Sequence, residues 1–249
     1  IAQQLQVDVS SLLGDEVESF KELMLEVEEM RNSLIDEKSD NKANAQKIID
    51  KVAPVIDKLQ NNRYEHIRIK EIYLSALTIT TEQLDKQAYY KIMDCYEEIH
   101  AYSRLLNCYN FLAWYAFDKK QFHEALEFLL QAEERIEPYW LIIDDISRIS
   151  LFYNLMFMYY AVSDEKNGSL YKEKVLEIAG KKKIYYQMDG FYRLLFGQAI
   201  SDYQFEEGTK YFEKLRLITQ FAEEEDMIFY YLFCRAQYLN TIEKKYEQA

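Results

Sequence analysis

Residues 108–122, CYNFLAWYAFDKKQF, align without a gap on residues 191–205, FYRLLFGQAISDYQF, at an offset of 83. Tyr109, Leu112, Ala116 and Phe122 fall on Tyr192, Leu195, Ala199 and Phe205, and each Phe is followed three positions on by a small residue, Ala125 or Gly208. The pattern returns as Tyr246 and Ala249, 41 residues past Phe205 and Gly208. A second motif fills the interval. SRLLNCYNFLAWYA (103–116) is matched 44 residues later by SRISLFYNLMFMYY (147–160), with Ser-Arg, Tyr-Asn and a further Tyr in register. Four units of roughly 41 residues therefore fit, and a period of this size means stacked supersecondary units, none of which can bury its apolar face alone.

The units are helical. Val17, Phe20, Leu23, Met24, Val27, Met30 and Leu34 recur at steps of three and four, which predicts a helix over 15–37 ended by the polar run DEKSDNKAN. Ile48, Ile49, Val52, Ile56 and Leu59 mark a second helix, in which Pro54 lacks an amide hydrogen and clashes with the preceding turn, so a kink or break is expected there. Further helices are predicted over 63–80, 82–99, 102–117 and 121–136, then in pairs to the end. Only 6 Gly and 2 Pro occur in 249 residues, so the interruptions that strands and tight turns need are nearly absent. The predicted fold class is all-α, a right-handed α-solenoid of antiparallel helix pairs.

With a net charge of -13, the chain repels phosphate backbones and anionic lipid surfaces. Cys95, Cys108 and Cys234 are too scattered for a disulfide framework or a paired metal site. No apolar run approaches the roughly 20 residues that span a bilayer, and no signal peptide opens the chain. These features predict a soluble protein of the cytoplasm, without cofactor, metal or membrane partner. The opening at Ile1 without a methionine, and the stop at Ala249 inside the fourth unit, lead us to expect a piece of a longer protein.

The unit beginning near Leu106 resembles a tetratricopeptide repeat. Leu112, Ala113, Phe122, Ala125, Leu129 and Ala132 occupy its large-small-aromatic-small-large-small positions, whereas Tyr109 stands where the pattern prefers Trp and Pro138 lies one place late. The opening IAQQLQVDVSSLLG resembles the tail of a helix-turn-helix DNA-binding domain of the Xre/Cro type, with Ile1, Ala2 and Leu5 inward and Asp8 as the cap of a last helix stopped near Gly14. The combination is similar to peptide-pheromone-responsive transcriptional regulators of the Rgg/PlcR/PrgX type. The resemblance implies a remnant of the DNA-binding domain at 1–14 and a tetratricopeptide-like domain at 15–249, clearest at 102–249 and truncated at its C-terminus. It also implies a homodimer, a short signalling peptide as ligand, and DNA binding only through the missing N-terminal domain.

In such a stack the first helix of each pair lines a concave groove, and residues shortly before the interior Leu112 point into it. Asn110 takes that place, and register puts Asn154, Arg193 and Cys234 in the equivalent places of the next units. An asparagine amide both donates and accepts, so it can pair with a peptide backbone whatever its side chains are. Arg193 suits a carboxylate. Asn107, Trp114, Phe117 and Met158 supply polar and apolar walls. In the family, asparagines of the concave surface hold the pheromone backbone, a role the resemblance transfers to Asn110 and Asn154 by motif and to Asn107 and Arg193 by face. The same amides would serve equally to bond neighbouring helices, and Arg104 and Arg148 suit ion pairs with acidic neighbours.

No catalytic pattern appears. His66, His100 and His123 are isolated, and HExxH, a phosphate loop and a nucleophile elbow are missing, so the chain is not predicted to be an enzyme. The predicted function is the peptide-sensing domain of a gene regulator. A tetratricopeptide scaffold holding a partner's tail and a response-regulator phosphatase or antagonist on similar repeats are the alternatives.

Overall fold

The computed structural model describes residues 15–32, 41–182, 188–220 and 225–243. The predicted helix-turn-helix remnant at 1–14 lies outside them. Eleven α-helices are described: α1 (Asp15–Asn32), α2 (Asn41–Val52), α3 (Tyr64–Thr81), α4 (Lys86–Glu98), α5 (Tyr102–Asp118), α6 (Phe122–Ile136), α7 (Asp145–Ala161), α8 (Glu165–Lys182), α9 (Asp189–Ser201), α10 (Phe205–Thr219) and α11 (Glu225–Tyr238). No strand occurs among the described residues, and none of their helices is long and apolar enough to cross a membrane. The chain divides into two compact units, one ending at Ser147 and the other starting at Arg148.

In the first unit the predicted break at Pro54 is found. α2 ends at Val52 and Pro54 enters the short 3-10 helix Ala53–Lys58, where its missing amide removes no helical bond. Leu59 then closes onto a core made by Met24 and Val27 of α1, Ala45, Ile48 and Val52 of α2, and Ile69, Ile72 and Ala76 of α3. Residues 66–69 of α3 are all buried in succession, so this helix is enclosed on every side. His66 is among them. Its Nδ1 accepts the Gln60 amide at 2.8 Å, and its ring meets Phe20 edge-on at 4.5 Å.

The predicted helix over 82–99 starts later, at Lys86. Glu82 instead takes a left-handed conformation as the C-cap of α3 (φ 58°), and Asp85 caps α4 by accepting the Ala88 amide at 3.0 Å. A left-handed residue also ends later helices of the chain. His100, Lys120, Ser163 and Tyr203 are each left-handed, with φ between 59° and 62°. The amide after each reaches five residues back, as in Gln121 N–H to Ala116 O at 2.9 Å and Gln204 N–H to Ala199 O at 2.8 Å. This is the Schellman geometry, normally given to Gly. Here bulkier residues accept it, so glycine could not mark these turns in the sequence.

α5 and α6 form the closest hairpin of the first unit, with Leu112, Ala113, Ala116, Ala125, Leu129 and Ala132 all buried between them and their neighbours. In the second unit α9 and α10 repeat the arrangement through Leu195, Ala199 and Gly208. α7 packs on α8 through Tyr171, whose ring stacks on Tyr159 at 5.5 Å and tilts toward Phe152 at 5.8 Å. Gly168 permits that approach, since a Cβ there would lie 2.5 Å from Cε1 of Tyr160.

A methyl group at Gly168 must displace the Tyr160 ring, so Gly168→Ala should lower stability by about 1–3 kcal/mol. A Cβ on Gly197 in α9 meets nothing within 4 Å. Gly197→Ala should therefore stabilise by up to about 1 kcal/mol through helix propensity. Urea midpoints of the two variants check both signs. Burial, and then the charge of Arg63, lower the His66 pKa below its usual value. The folded state thus binds this proton less readily than the unfolded chain. Its contribution is complete above the unfolded value of about 6.5 and is lost as pH falls below it. Urea midpoints of wild type and His66→Gln, taken at neutral and mildly acid pH, should converge as the pH falls.

Candidate functional site

α5 contains no β-branched residue and carries five of its buried side chains, Leu105, Cys108, Tyr109, Leu112 and Ala116, at helical spacing, so the helix turns a second, polar and aromatic face away from the core. That face holds four of the predicted residues. Asn107 is exposed and Asn110 half-buried, while Trp114 is 41% exposed and Phe117 half-buried. The two aromatics meet edge to face at 5.2 Å, and Phe117 rests against Phe122 of α6 at 5.4 Å. Beside them Phe111 stacks on Tyr89 of α4 at 5.2 Å. An apolar platform next to two amides is the combination that an extended peptide needs.

The second unit treats the matching positions differently. Asn154 is only 5% exposed and Met158 is 0% exposed, so both are buried in this arrangement, unlike their α5 counterparts. Met158 is packed as core, because its neighbours Leu151, Leu155 and Met156 on α7 are buried as well. Arg193 is half-buried with its guanidinium over the Tyr230 ring, 3.9 Å from the centroid. Cys234 is buried, and burial pushes its thiol pKa up. A cleft of this unit, lined by Phe212, Arg216, Tyr231 and Tyr238, contains none of the predicted residues. Phe212 fills it in part, stacking on Tyr238 at 4.3 Å and on Tyr231 at 5.7 Å.

The first unit also contains a polar cluster that sequence reasoning missed. Arg68 is 2% exposed on α3. Its Nε donates to Glu28 Oε1 at 2.6 Å and its Nη1 lies 2.7 Å from Glu71 Oε2. Tyr96 of α4 donates its hydroxyl to the same Glu71 oxygen at 2.5 Å. Arg104 of α5 joins the cluster as an ion pair, with Nη2 3.4 Å from Glu28 Oε1 and Nε donating to the Tyr64 hydroxyl at 3.0 Å. Burial opposes the Arg68 charge, but Glu71 and the hydrogen bond to Glu28 outweigh it and hold the pKa above its ordinary value. Burial, then Glu71, raises the Tyr96 phenol. The signal was the pair Arg68 and Glu71, one turn apart in YEHIRIKEIYLSAL, a helix with apolar residues on all sides.

Among the described residues no group of three or more His, Cys, Asp or Glu is placed to hold a metal ion. Breaking a buried ion pair leaves its partner charge uncompensated, at a cost of about 3–5 kcal/mol. Glu71→Gln should destabilise the chain by an amount in that range, whereas Arg68→Met/Glu71→Met should recover a large part of it. A double-mutant cycle of chemical denaturation measures the difference.

No protein-family model matches the chain, and no curated protein matches it. Solved structures do. BtubC (BKLC) from P. vanneervenii matches with a TM-score of 0.64 at 15% identity, over 82% of this chain and 86% of that one. A putative kinesin light chain from Podosopora anserina with nearly identical TPR-like repeats matches with a TM-score of 0.55 at 15% identity, over 82% and 99% of the two chains. A substituted form of that kinesin light chain gives 0.55 at 16% identity, over 80% and 95%. At such identities the likeness concerns the fold, and the fold is that of an all-α protein built of TPR-like repeats.

Proposed function

We propose that the chain is a peptide-binding module whose site lies along the outward face of α5. The observation that carries this is Trp114. A large aromatic left 41% exposed on a tightly packed helix, one turn from Asn110 and two from Asn107, is the surface that recognition uses. A peptide lying there would stack an apolar residue on Trp114 and Phe117 and pair its backbone with the Asn amides. Such pairing holds a family of peptides by main chain and selects among them at the aromatic end.

The more specific reading makes the module the sensor of a cytoplasmic, homodimeric helix-turn-helix regulator, with a short signalling peptide as the ligand. Its support is the sequence resemblance of residues 1–14 and of the repeat units. Peptide binding would then shift the spacing of two DNA-binding domains, which must match operator half-sites. A second reading, a scaffold for the tail of a protein partner, draws on the likeness of the repeats to those of a putative kinesin light chain.

Randomised octapeptide pools passed over the immobilised chain test the module. Peptides retained by wild type should bind Asn110→Ala more weakly by about 1–3 kcal/mol if a buried pairing is lost, and Trp114→Ala should lose them. Equal retention by all three proteins removes the α5 face. A gel shift with the complete natural polypeptide then separates the readings, because a full-length form that ignores all DNA ends the regulator and leaves the module.

A further inference from the structure

The α5 face continues one turn before Asn107 to Arg104, where it meets the polar cluster of α1 and α3. Among the described residues that cluster is unbalanced. Arg31, Arg68 and Arg104 supply three guanidiniums, against the two carboxylates of Glu28 and Glu71, in a chain whose net charge is -13. One oxygen of each carboxylate is already shared between two donors. Glu71 serves Arg68 and the Tyr96 hydroxyl, and Glu28 serves Arg68 and Arg104.

Arg31 follows Glu28 by one turn on α1 and makes neither a hydrogen bond nor an ion pair among the described residues. Burial, and then the like charge of Arg68, drive its pKa below the usual arginine value. A partly desolvated cation beside other cations is stabilised by an anion. The place is open to one, since Arg31 is half-buried and the side chains of Arg104 and Glu28 are 28% and 26% exposed.

We propose that Arg31 and Arg104 form a carboxylate receptor that anchors one end of a peptide lying on α5. The inference rests on the α5 reading for its ligand and on the cluster alone for its chemistry. A guanidinium takes a carboxylate through two parallel N–H bonds, and the unmatched charge supplies the attraction that the acidic chain otherwise denies to anions. Ten helical residues from Arg104 to Trp114 cover about 15 Å, the reach of about four or five extended residues. An anchored carboxylate and an apolar residue on Trp114 would therefore fit one short peptide. The carboxylate is either the peptide's C-terminus or an acidic side chain near it.

Two measurements test this. In the first, acetate is titrated against chloride at matched ionic strength while the arginine Nε–H resonances of the chain are followed. A saturable acetate shift at Arg104 that disappears in Arg31→Met is expected, with the melting temperature of the variant unchanged or raised. A merely structural Arg31 would lower the melting temperature and leave the acetate response intact. The second uses octapeptide pools with free or amidated C-termini, each with and without Asp and Glu. Wild type should favour a carboxylate-bearing pool by about tenfold through its charge-assisted bonds, and Arg31→Met should lose that preference. The C-terminus is the source if amidation abolishes the preference, and a side chain is the source if removal of Asp and Glu does.

An absent acetate shift, or one that persists in Arg31→Met, overturns the receptor. Equal retention of all pools overturns the anchor while the α5 site stands. Retention of none, with the acetate shift intact, upholds the receptor and ends the α5 reading.

Discussion

Two helices can share a core only if their backbones come close enough for side chains to interlock, and in this chain small residues set that distance. Ala113, Ala116, Ala125 and Ala132 line the α5–α6 contact, and Ala199 with Gly208 does so between α9 and α10. At Gly208 an added Cβ would stand 3.4 Å from Ile200 Cδ1 and 3.7 Å from Ala199 Cβ, the ordinary contact distance of packed methyl groups, so a small residue suits this approach and alanine would fit it as well. Helices of 12 to 18 residues are marginal alone in water. Their stability comes from this approach, which lets the many Tyr and Phe rings fill the remaining space. The exposed face of α5 is a by-product of the same geometry, because the side that interlocks fixes the side that does not.

Helical spacing made this layer legible. The run from Tyr102 to Asp118 and the break at Pro54 follow from local rules, since apolar positions three and four apart can only be buried together on a helix. The turns were less legible. A left-handed residue is normally read from Gly, yet here it is Lys120, Ser163 or Tyr203, held by the two hydrogen bonds of the stop and by the packing that follows. Glu82 shows the same limit, where a plausible first residue of a helix became the cap of the one before it.

Motif identity also hid a difference in environment. Tyr-Asn at 109–110 and at 153–154 match letter for letter, but Asn110 is half-buried and Asn154 is 5% exposed. Exposure is set by what lies over a helix, which a repeat motif does not encode. Arg68 is the opposite case. A charged residue is 2% exposed here, because α1, α2 and α4 enclose the helix that bears it. The preference of charges for water was overridden by two carboxylates close enough to replace it.

That override links the core to the proposed recognition surface. An ionic cluster contributes little net stability compared with apolar residues of the same volume, so its presence is better explained by what it fixes. Glu28 ties α1 to α3 and α5 at once, through Arg68 and Arg104, and Tyr64 adds a second tie to Arg104. Arg104 is thereby held in one orientation at the start of the α5 face rather than swinging in solvent. A guanidinium fixed in this way loses less entropy on meeting an anion than a free surface arginine does. In a chain with 43 acidic and 30 basic residues, the general field turns anions away. Attraction confined to one preorganised spot in such a field would report position as well as charge, and this would distinguish the proposed recognition of a peptide end from adsorption of any acidic molecule.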